Sequence, residues 1–190
     1  MKFVAVALAT PLFVACTVNN HFYEAPRAAT TAATRSPRVT GVVRGDDGKP
    51  VRAIVAAVGP GGSASSGTEA DGRFELHTVW WTEFVLHAST TDGRVAIAHA
   101  RDGARDVELV LQPGGTLALE LDGTGEARCA IFVGDALVQD FTLRAGATTA
   151  VLLPAGEVRV RLYDGDQTLA ETRAHVVERE TRSVRLTPGR

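Results

Sequence analysis

The chain has 190 residues, of which 45% are hydrophobic and 22% charged, and its 20 basic and 22 acidic side chains give a formal net charge of -2. This near balance, without a basic cluster, argues against nucleic acid as a partner. Glycine, valine, alanine and threonine are frequent, and long helix-forming stretches are missing after the first fifteen positions, which favours an all-β protein.

The first sixteen residues have the layout of a secretory signal. Lys2 supplies a positive head, residues 3–15 form an apolar run, and the chain turns polar from Thr17. As an α-helix, a run of this length covers roughly 20 Å, less than the ~30 Å hydrocarbon core of a bilayer. We therefore expect the segment to direct export and not to remain as a membrane span.

The end of this run, residues 13–16 (FVAC), resembles the lipobox of bacterial lipoproteins, in which a small residue precedes a cysteine that receives diacylglycerol. The resemblance implies a signal peptide over residues 1–15, lipidation of Cys16 and a membrane as partner of the N-terminal lipid. Because Thr17 and not aspartate follows the cysteine, it also implies the outer membrane in a bacterium that has two membranes. A soluble secreted protein and an uncleaved anchor are the alternatives.

Residues 16–37 consist mainly of alanine, threonine and proline with no apolar period, which is typical of a disordered tether. From residue 38 onward, short alternating segments are separated by glycine turns, several of them Asp-Gly, which favours hairpins. The predicted strands are 39–44, 51–59, 73–77, 82–89, 94–100 and 106–112, followed by 116–121, 127–133, 136–143, 148–153, 157–163, 168–177 and 182–186.

These two sets of strands predict an all-β protein of two tandem small β-sandwich domains of the prealbumin or immunoglobulin-like type, over residues 38–113 and 114–190. The glycine- and serine-rich residues up to Gly67 are interpreted as a loop, and the Pro-Gly-Gly of residues 113–115 as a break. Both sets end in alternating aliphatic residues that run into Pro-Gly, which indicates a diverged tandem repeat. Since each unit is small, we expect the two to pack on each other.

Residues 39–51 (VTGVVRGDDGKPV) and 68–76 (TEADGRFEL) resemble the carboxypeptidase regulatory-like domain, a transthyretin-type β-sandwich found in many exported bacterial proteins. They match its opening strand, glycine turn and proline, and its T-x-x-D-G-x-F-x-L turn and strand. The resemblance implies that Phe74 and Leu76 enter the core and that the unit is a structural or binding module without the peptidase. Lys-Asn cross-links, known from related adhesin domains, are excluded because no asparagine follows Asn20.

Histidine supplies no convincing metal site in the sequence. His175 and Glu178 have the spacing of a zinc pair, but residues three apart on a strand point to opposite faces. His77, His87 and His99 fall on neighbouring predicted strands, yet the alternation does not bring them to one point. No metal or other cofactor is therefore predicted.

No catalytic residue is predicted either. The serines of residues 62–67 do not fit a nucleophile elbow, and residues 164–166 (DGD) are interpreted as a hairpin turn and not as a calcium loop. Cys129 alternates with aliphatic neighbours and is expected to be a small buried hydrophobic residue. These patterns favour a protein that is not an enzyme.

Trp80 and Trp81 form the candidate partner-binding pair. If Trp80 enters the core, strand alternation directs Trp81 outward, where it is either covered by the second domain or the tether, or offered to a partner. The sequence as a whole predicts a non-catalytic, lipid-anchored protein of the cell envelope that acts as a structural or protein-interaction module. A glycan- or peptide-binding module that uses an exposed Trp81 surface is the alternative.

Overall fold

The computed structural model describes residues 38–60, 62–77 and 81–189, and all regular secondary structure within them is β-strand. The all-β class is thus confirmed, and every predicted strand is present. No helix in these three ranges is long and apolar enough to cross a membrane. The strands are β1 Arg38–Arg44, β2 Ile54–Gly59, β3 Gly62–Gly67, β4 Arg73–His77, β5 Glu83–Ser89, β6 Arg94–Arg101, β7 Val107–Val110, β8 Gln112–Leu121, β9 Glu126–Val133, β10 Ala136–Arg144, β11 Thr148–Pro154, β12 Gly156–Asp164, β13 Gln167–Val176 and β14 Thr181–Leu186.

The first half, β1 to β7, forms two sheets. One has the order β4-β1-β7, in which β1 runs antiparallel to β4 and parallel to β7. The other contains β3-β2-β5-β6, with every neighbouring pair antiparallel. The connections between these sheets bring their inner faces together as a β-sandwich.

The second half, β8 to β14, repeats this order strand for strand. Its first strand, β8, is antiparallel to its fourth, β11, and parallel to its seventh, β14. Its other sheet has the order β10-β9-β12-β13, which again joins the third, second, fifth and sixth strands. Because the two halves share one topology, the fold agrees with the idea of a tandem repeat, while the division at residues 113 and 114 stays a prediction.

Strand β8 connects the two halves through backbone pairing. At its start Gln112 and Pro113 pair with Val95 and Arg94 of β6, and its remainder pairs with β11 and β14. The boundary predicted between residues 113 and 114 therefore falls inside a strand. Proline is tolerated here because it stands near the beginning of the strand, before the pairing with β11 starts.

The prediction that residues 113–115 break the chain is wrong, since all three lie within β8. Gly114 and Gly115 do not have the positive φ of turn glycines. They allow close packing instead: a Cβ on Gly115 would lie 2.1 Å from the Val177 carbonyl oxygen, and one on Gly114 would lie 2.7 Å from that of Leu153. A sequence pattern does not distinguish these two uses of glycine.

The loop predicted before Gly67 is also wrong in part, because Gly62–Gly67 form strand β3. Its pairing with β2 runs from Gly62 opposite Gly59 to Gly67 opposite Ile54. The strand consists of glycine, serine and alanine only, so it carries no hydrophobic alternation that a sequence pattern could reveal. Its extended conformation is held by backbone hydrogen bonds to the neighbouring strand β2.

The core consists of two hydrophobic clusters. Phe74 and Leu76 are buried in the first, as the family resemblance implied. Val85 of β5 belongs to the second cluster and Ile97 of β6 packs against it, so one sheet of the first half contacts the core of the second. Fully buried residues of the first cluster include Val39, Val43, Val55, Leu86 and Leu111, and those of the second include Leu117, Leu119, Ile131, Leu143, Leu153, Val160 and Leu162.

The close approach at Gly115 generates a testable prediction. We expect Gly115→Ala to lower the free energy of unfolding by about 2 kcal/mol or more, because the new methyl group collides with backbone that cannot move aside independently. Urea denaturation followed by tryptophan fluorescence measures the change. The control is Gly67→Ala, whose Cβ meets nothing within 4 Å and whose φ is not positive. Equal stability of the two variants would contradict this role of Gly115.

Candidate functional site

Two of the three predicted site residues, Cys16 and Trp80, lie outside the described residues. Lipidation of Cys16 and partner binding by Trp80 therefore stay predictions. Trp81, the third, lies two residues before β5 and is partly buried, packed against the first hydrophobic cluster. An outward orientation was expected only if Trp80 enters the core, so that expectation stays a prediction, and Trp81 is not itself part of a strand.

The Trp81 side chain holds the β2–β3 hairpin. Its indole Nε1–H donates a hydrogen bond to the Pro60 carbonyl oxygen at 3.2 Å. The ring lies so close to Gly59 that a Cβ there would be 2.5 Å from it, and its centroid is 6.5 Å from that of Phe84. With one face and its polar atom in use within the chain, the indole offers less surface to a partner than the sequence indicated.

The second cysteine, Cys129, is fully buried within the second hydrophobic cluster. Burial raises the pKa of its thiol to about 12, and the negative charge of Asp140 acts in the same direction. A thiol with this pKa is not ionised near neutral pH, so it is a poor nucleophile. The expectation of a small buried hydrophobic residue is confirmed.

His87 is a polar residue that is buried among the strands. Its Nε2–H donates a hydrogen bond to the Leu152 carbonyl oxygen at 3.1 Å, which links β5 of the first half to β11 of the second. Burial lowers the pKa of this imidazole, and the hydrogen bond to the carbonyl opposes the shift only in part. The neutral side chain therefore serves as a structural donor between the halves.

The other sequence candidates take ordinary structural places. His77, His99 and His175 are exposed, and His77 lies 3.4 Å from Glu75. Across residues 38–60, 62–77 and 81–189, no three histidine, cysteine, aspartate or glutamate side chains come together in a way that could hold a metal ion. Residues 164–166 form the turn between β12 and β13, with Gly165 at a φ of 55°.

The sequence reasoning missed a surface that we call the arginine–aromatic face: Arg128, Phe132, Arg159, Arg161 and Tyr163 on the outer side of β9 and β12. The Cζ atoms of Arg159 and Arg161 both lie 5.3 Å from the centroid of the Phe132 ring. The Cζ of Arg128 lies 5.6 Å from the Tyr163 ring. At these distances the cations are attracted to the π faces, which orients the guanidinium groups.

Acidic side chains hold the same arginines from their other side. Arg128 donates two hydrogen bonds to the Asp140 carboxylate, at 2.8 and 2.5 Å, and the contact raises the pKa of the guanidinium. Arg161 donates to Glu171, which lowers the pKa of that carboxyl. The arginines are thus paired, so the face presents oriented polar groups and not an uncompensated anion site.

Part of this face can be read from the sequence. The alternation of residues 158–162 places Arg159 and Arg161 on the side opposite the buried valines. Phe132 stands between Ile131 and Val133, so the same rule directs it outward. The missing information was the register, in which Phe132 pairs with Arg159, since a sequence does not state which strands are neighbours.

A cleft of about 640 Å³ adjoins the arginine–aromatic face. It lies between β5, β6 and the start of β10, with apolar lining that includes Leu137 and a polar rim at Glu83 and Arg101, whose charged groups are 3.1 Å apart. Asp135 lines the same cleft and accepts a hydrogen bond from Arg159 at 3.3 Å. Asp135 therefore links the cleft to the arginine–aromatic face through its contact with Arg159.

No protein-family model matches the chain, and no curated protein sequence is similar to it. Among solved structures, the Bacillus anthracis TIE protein is similar with 12% identity and a TM-score of 0.34, over 80% of this chain and 33% of that protein. This chain thus spans about a third of its length. The minor pilin GBS52 of Streptococcus agalactiae is similar with 10% identity and a TM-score of 0.35, over 81% of this chain and 96% of that protein. A DUF3823 family protein from Bacteroides ovatus is similar with 12% identity and a TM-score of 0.33, over 75% of this chain and 97% of that protein. Likeness at this level assigns no function.

The buried imidazole of His87 predicts a pH dependence of stability. Because its pKa in the folded chain lies below the ordinary 6.5, the unfolded chain binds the proton more readily. Above about pH 6.5 the imidazole is neutral in both states, and its contribution to the free energy of unfolding is complete. This contribution is lost as the pH falls from there through the lower pKa of the folded chain. We expect the Tm of the wild type to fall more between pH 7 and 5 than that of His87→Gln, which keeps a donor for Leu152 but does not titrate.

Circular dichroism at intervals of about half a pH unit checks this expectation. His99→Gln, which replaces an exposed histidine, is the control and should keep the full wild-type loss. Parallel pH profiles for the wild type and His87→Gln would show that another group is responsible.

Proposed function

We propose that the chain is a lipid-anchored, non-catalytic module of the bacterial cell envelope that acts by binding another envelope protein. The lipobox of residues 13–16 and the tether of residues 16–37 support the anchored location. The observation that carries the binding role is the arginine–aromatic face. The carboxypeptidase regulatory-like assignment of the first half is part of this proposal, and the burial of Phe74 and Leu76 agrees with it.

The composition of the face favours a protein partner. Arginine, tyrosine and phenylalanine are enriched at the centres of protein interfaces, where they combine a large contact area with directed hydrogen bonds. Phe132 and Tyr163 are partly buried, and their arginines are already held by carboxylates. A surface that is ordered before it binds loses less side-chain entropy in the complex.

The glycan-binding alternative has weaker support. It depended on an exposed Trp81, whereas this indole is partly buried and donates its N–H to Pro60. A planar aromatic group beside unpaired polar atoms is the usual platform for a sugar ring. The geometry at Trp81 favours the structural role, so we retain protein binding as the main proposal.

The lipid anchor predicts a difference between the two cysteines of the chain. Metabolic labelling with palmitate and membrane fractionation should show label and membrane association for the wild type and for Cys129→Ala. Both should be lost in Cys16→Ser, because only Cys16 stands at the end of the lipobox. Label and membrane association that persist in Cys16→Ser would exclude this mode of anchoring.

The binding role predicts cross-linking at one surface. A benzophenone amino acid in place of Tyr163 of the full chain, in the native bacterium, should give a discrete protein adduct that weakens severalfold when Phe132→Ala is added. The same photoreactive group at Asp102, in an exposed turn, is the control and should give no such adduct. The same adduct from both positions, or none from position 163, would count against this face.

A further inference from the structure

Strand β3 differs from the other edge strands in the described ranges. Among the described residues it pairs only with β2, on one side. Proteins usually protect such edges with charged side chains or proline, because an open edge can pair with another strand. The edge strands β4, β7, β10, β13 and β14 each contain a charged residue, and β11 ends in Pro154, whereas β3 (GSASSG) contains neither.

The alternation of hydrogen-bonded and non-hydrogen-bonded pairs between β2 and β3 shows which backbone groups of β3 face outward. The Thr68 N–H donates to the Ala53 carbonyl at 2.9 Å, so this pair is hydrogen-bonded, and the pairs alternate from there along the antiparallel ladder. Ser63, Ser65 and Gly67 therefore direct their N–H and C=O groups away from β2. All three residues are exposed.

The edge is also held in place before any partner arrives. Trp81 lies against Gly59, the last residue of β2, and donates a hydrogen bond to Pro60. This contact holds the end of β2, the strand with which β3 pairs. A fixed edge loses little conformational entropy when it pairs.

We propose that two copies of this chain associate by antiparallel pairing of their β3 strands about a two-fold axis at Ser65. In this register Ser65 faces its own copy and Ser63 faces Gly67, so that every outward residue enters a hydrogen-bonded pair. The three pairs exchange about six hydrogen bonds. The shared edge joins the two β3-containing sheets into one continuous sheet.

The chemistry of the strand favours a second copy as its occupant. The outward residues are spaced evenly on either side of Ser65, which makes the edge complementary to itself, as an isologous interface must be. Because the strand is uncharged, self-pairing opposes no like charges. The same arrangement about the middle of β4 would place Glu75 opposite Glu75, which is unfavourable.

Disulfide trapping tests the register in the full chain carrying Cys16→Ser and Cys129→Ala, so that each introduced cysteine is the single thiol. Ser65→Cys should form a disulfide dimer with copper–phenanthroline and air as oxidant, since paired Cα atoms lie about 5.5 Å apart. Ser63→Cys alone should not, but mixed with Gly67→Cys it should form the heterodimer. Ala64→Cys, whose side chain points to the other face, is the control.

Sedimentation velocity tests the association without cross-linking. The full chain carrying Cys16→Ser, which has no lipid, should show a dimer whose fraction grows with concentration. Adding Ser65→Lys should raise the dimer dissociation constant at least tenfold, because two like charges then face each other. An unchanged Tm would show that Ser65→Lys still folds, as expected for an exposed site. The proposal is overturned if the Ser65→Cys chain forms no disulfide dimer, or if cysteines at residues 63, 64 and 65 cross-link equally. It is also overturned if Ser65→Lys associates as strongly as the parent chain.

Discussion

The backbone pairing of β8 is the constraint on which the rest of the structure depends. The strand begins beside β6 of the first half and continues between β11 and β14 of the second. Gly114 and Gly115 permit this because their missing side chains leave room for neighbouring carbonyl groups. The linkage brings β5 close to β11, where His87 bonds to Leu152 and so satisfies a buried polar atom.

Charge has a second organising role on the surface of the sandwiches. Single exposed ion pairs contribute little to stability, so the many arginine–carboxylate contacts of this chain are weak evidence of rigidity when taken one by one. The arginine–aromatic face is different because each guanidinium there has both an acidic partner and an aromatic ring. Some of the other charged residues lie on edge strands, where they oppose unwanted pairing. Strand β3 lacks this protection.

Strand positions could be predicted from the sequence because they follow from local rules. Alternation identified thirteen segments, and Gly72, Gly93 and Gly103 do adopt the positive φ that their turn positions require. Strand β3 escaped detection because serine and glycine carry no hydrophobic signal. The contact of Trp81 with the hairpin was not foreseen because Trp81 lies before the strand begins, where alternation gives no guide. The candidate face depends on a register between distant segments, which no local rule supplies.

The two halves have a physical reason to remain together. A unit of about 75 residues buries a smaller fraction of its surface than a larger domain does, so a single core of this size is marginal. In this chain Val85 is buried in the cluster of the second half and Ile97 packs against it. Separation would expose these side chains and leave the His87 donor in need of another partner. The pairing of β8 with β6 and the core contact of Val85 and Ile97 thus both hold the two halves against each other. The surfaces available for recognition are those that stay exposed when the halves are packed in this way.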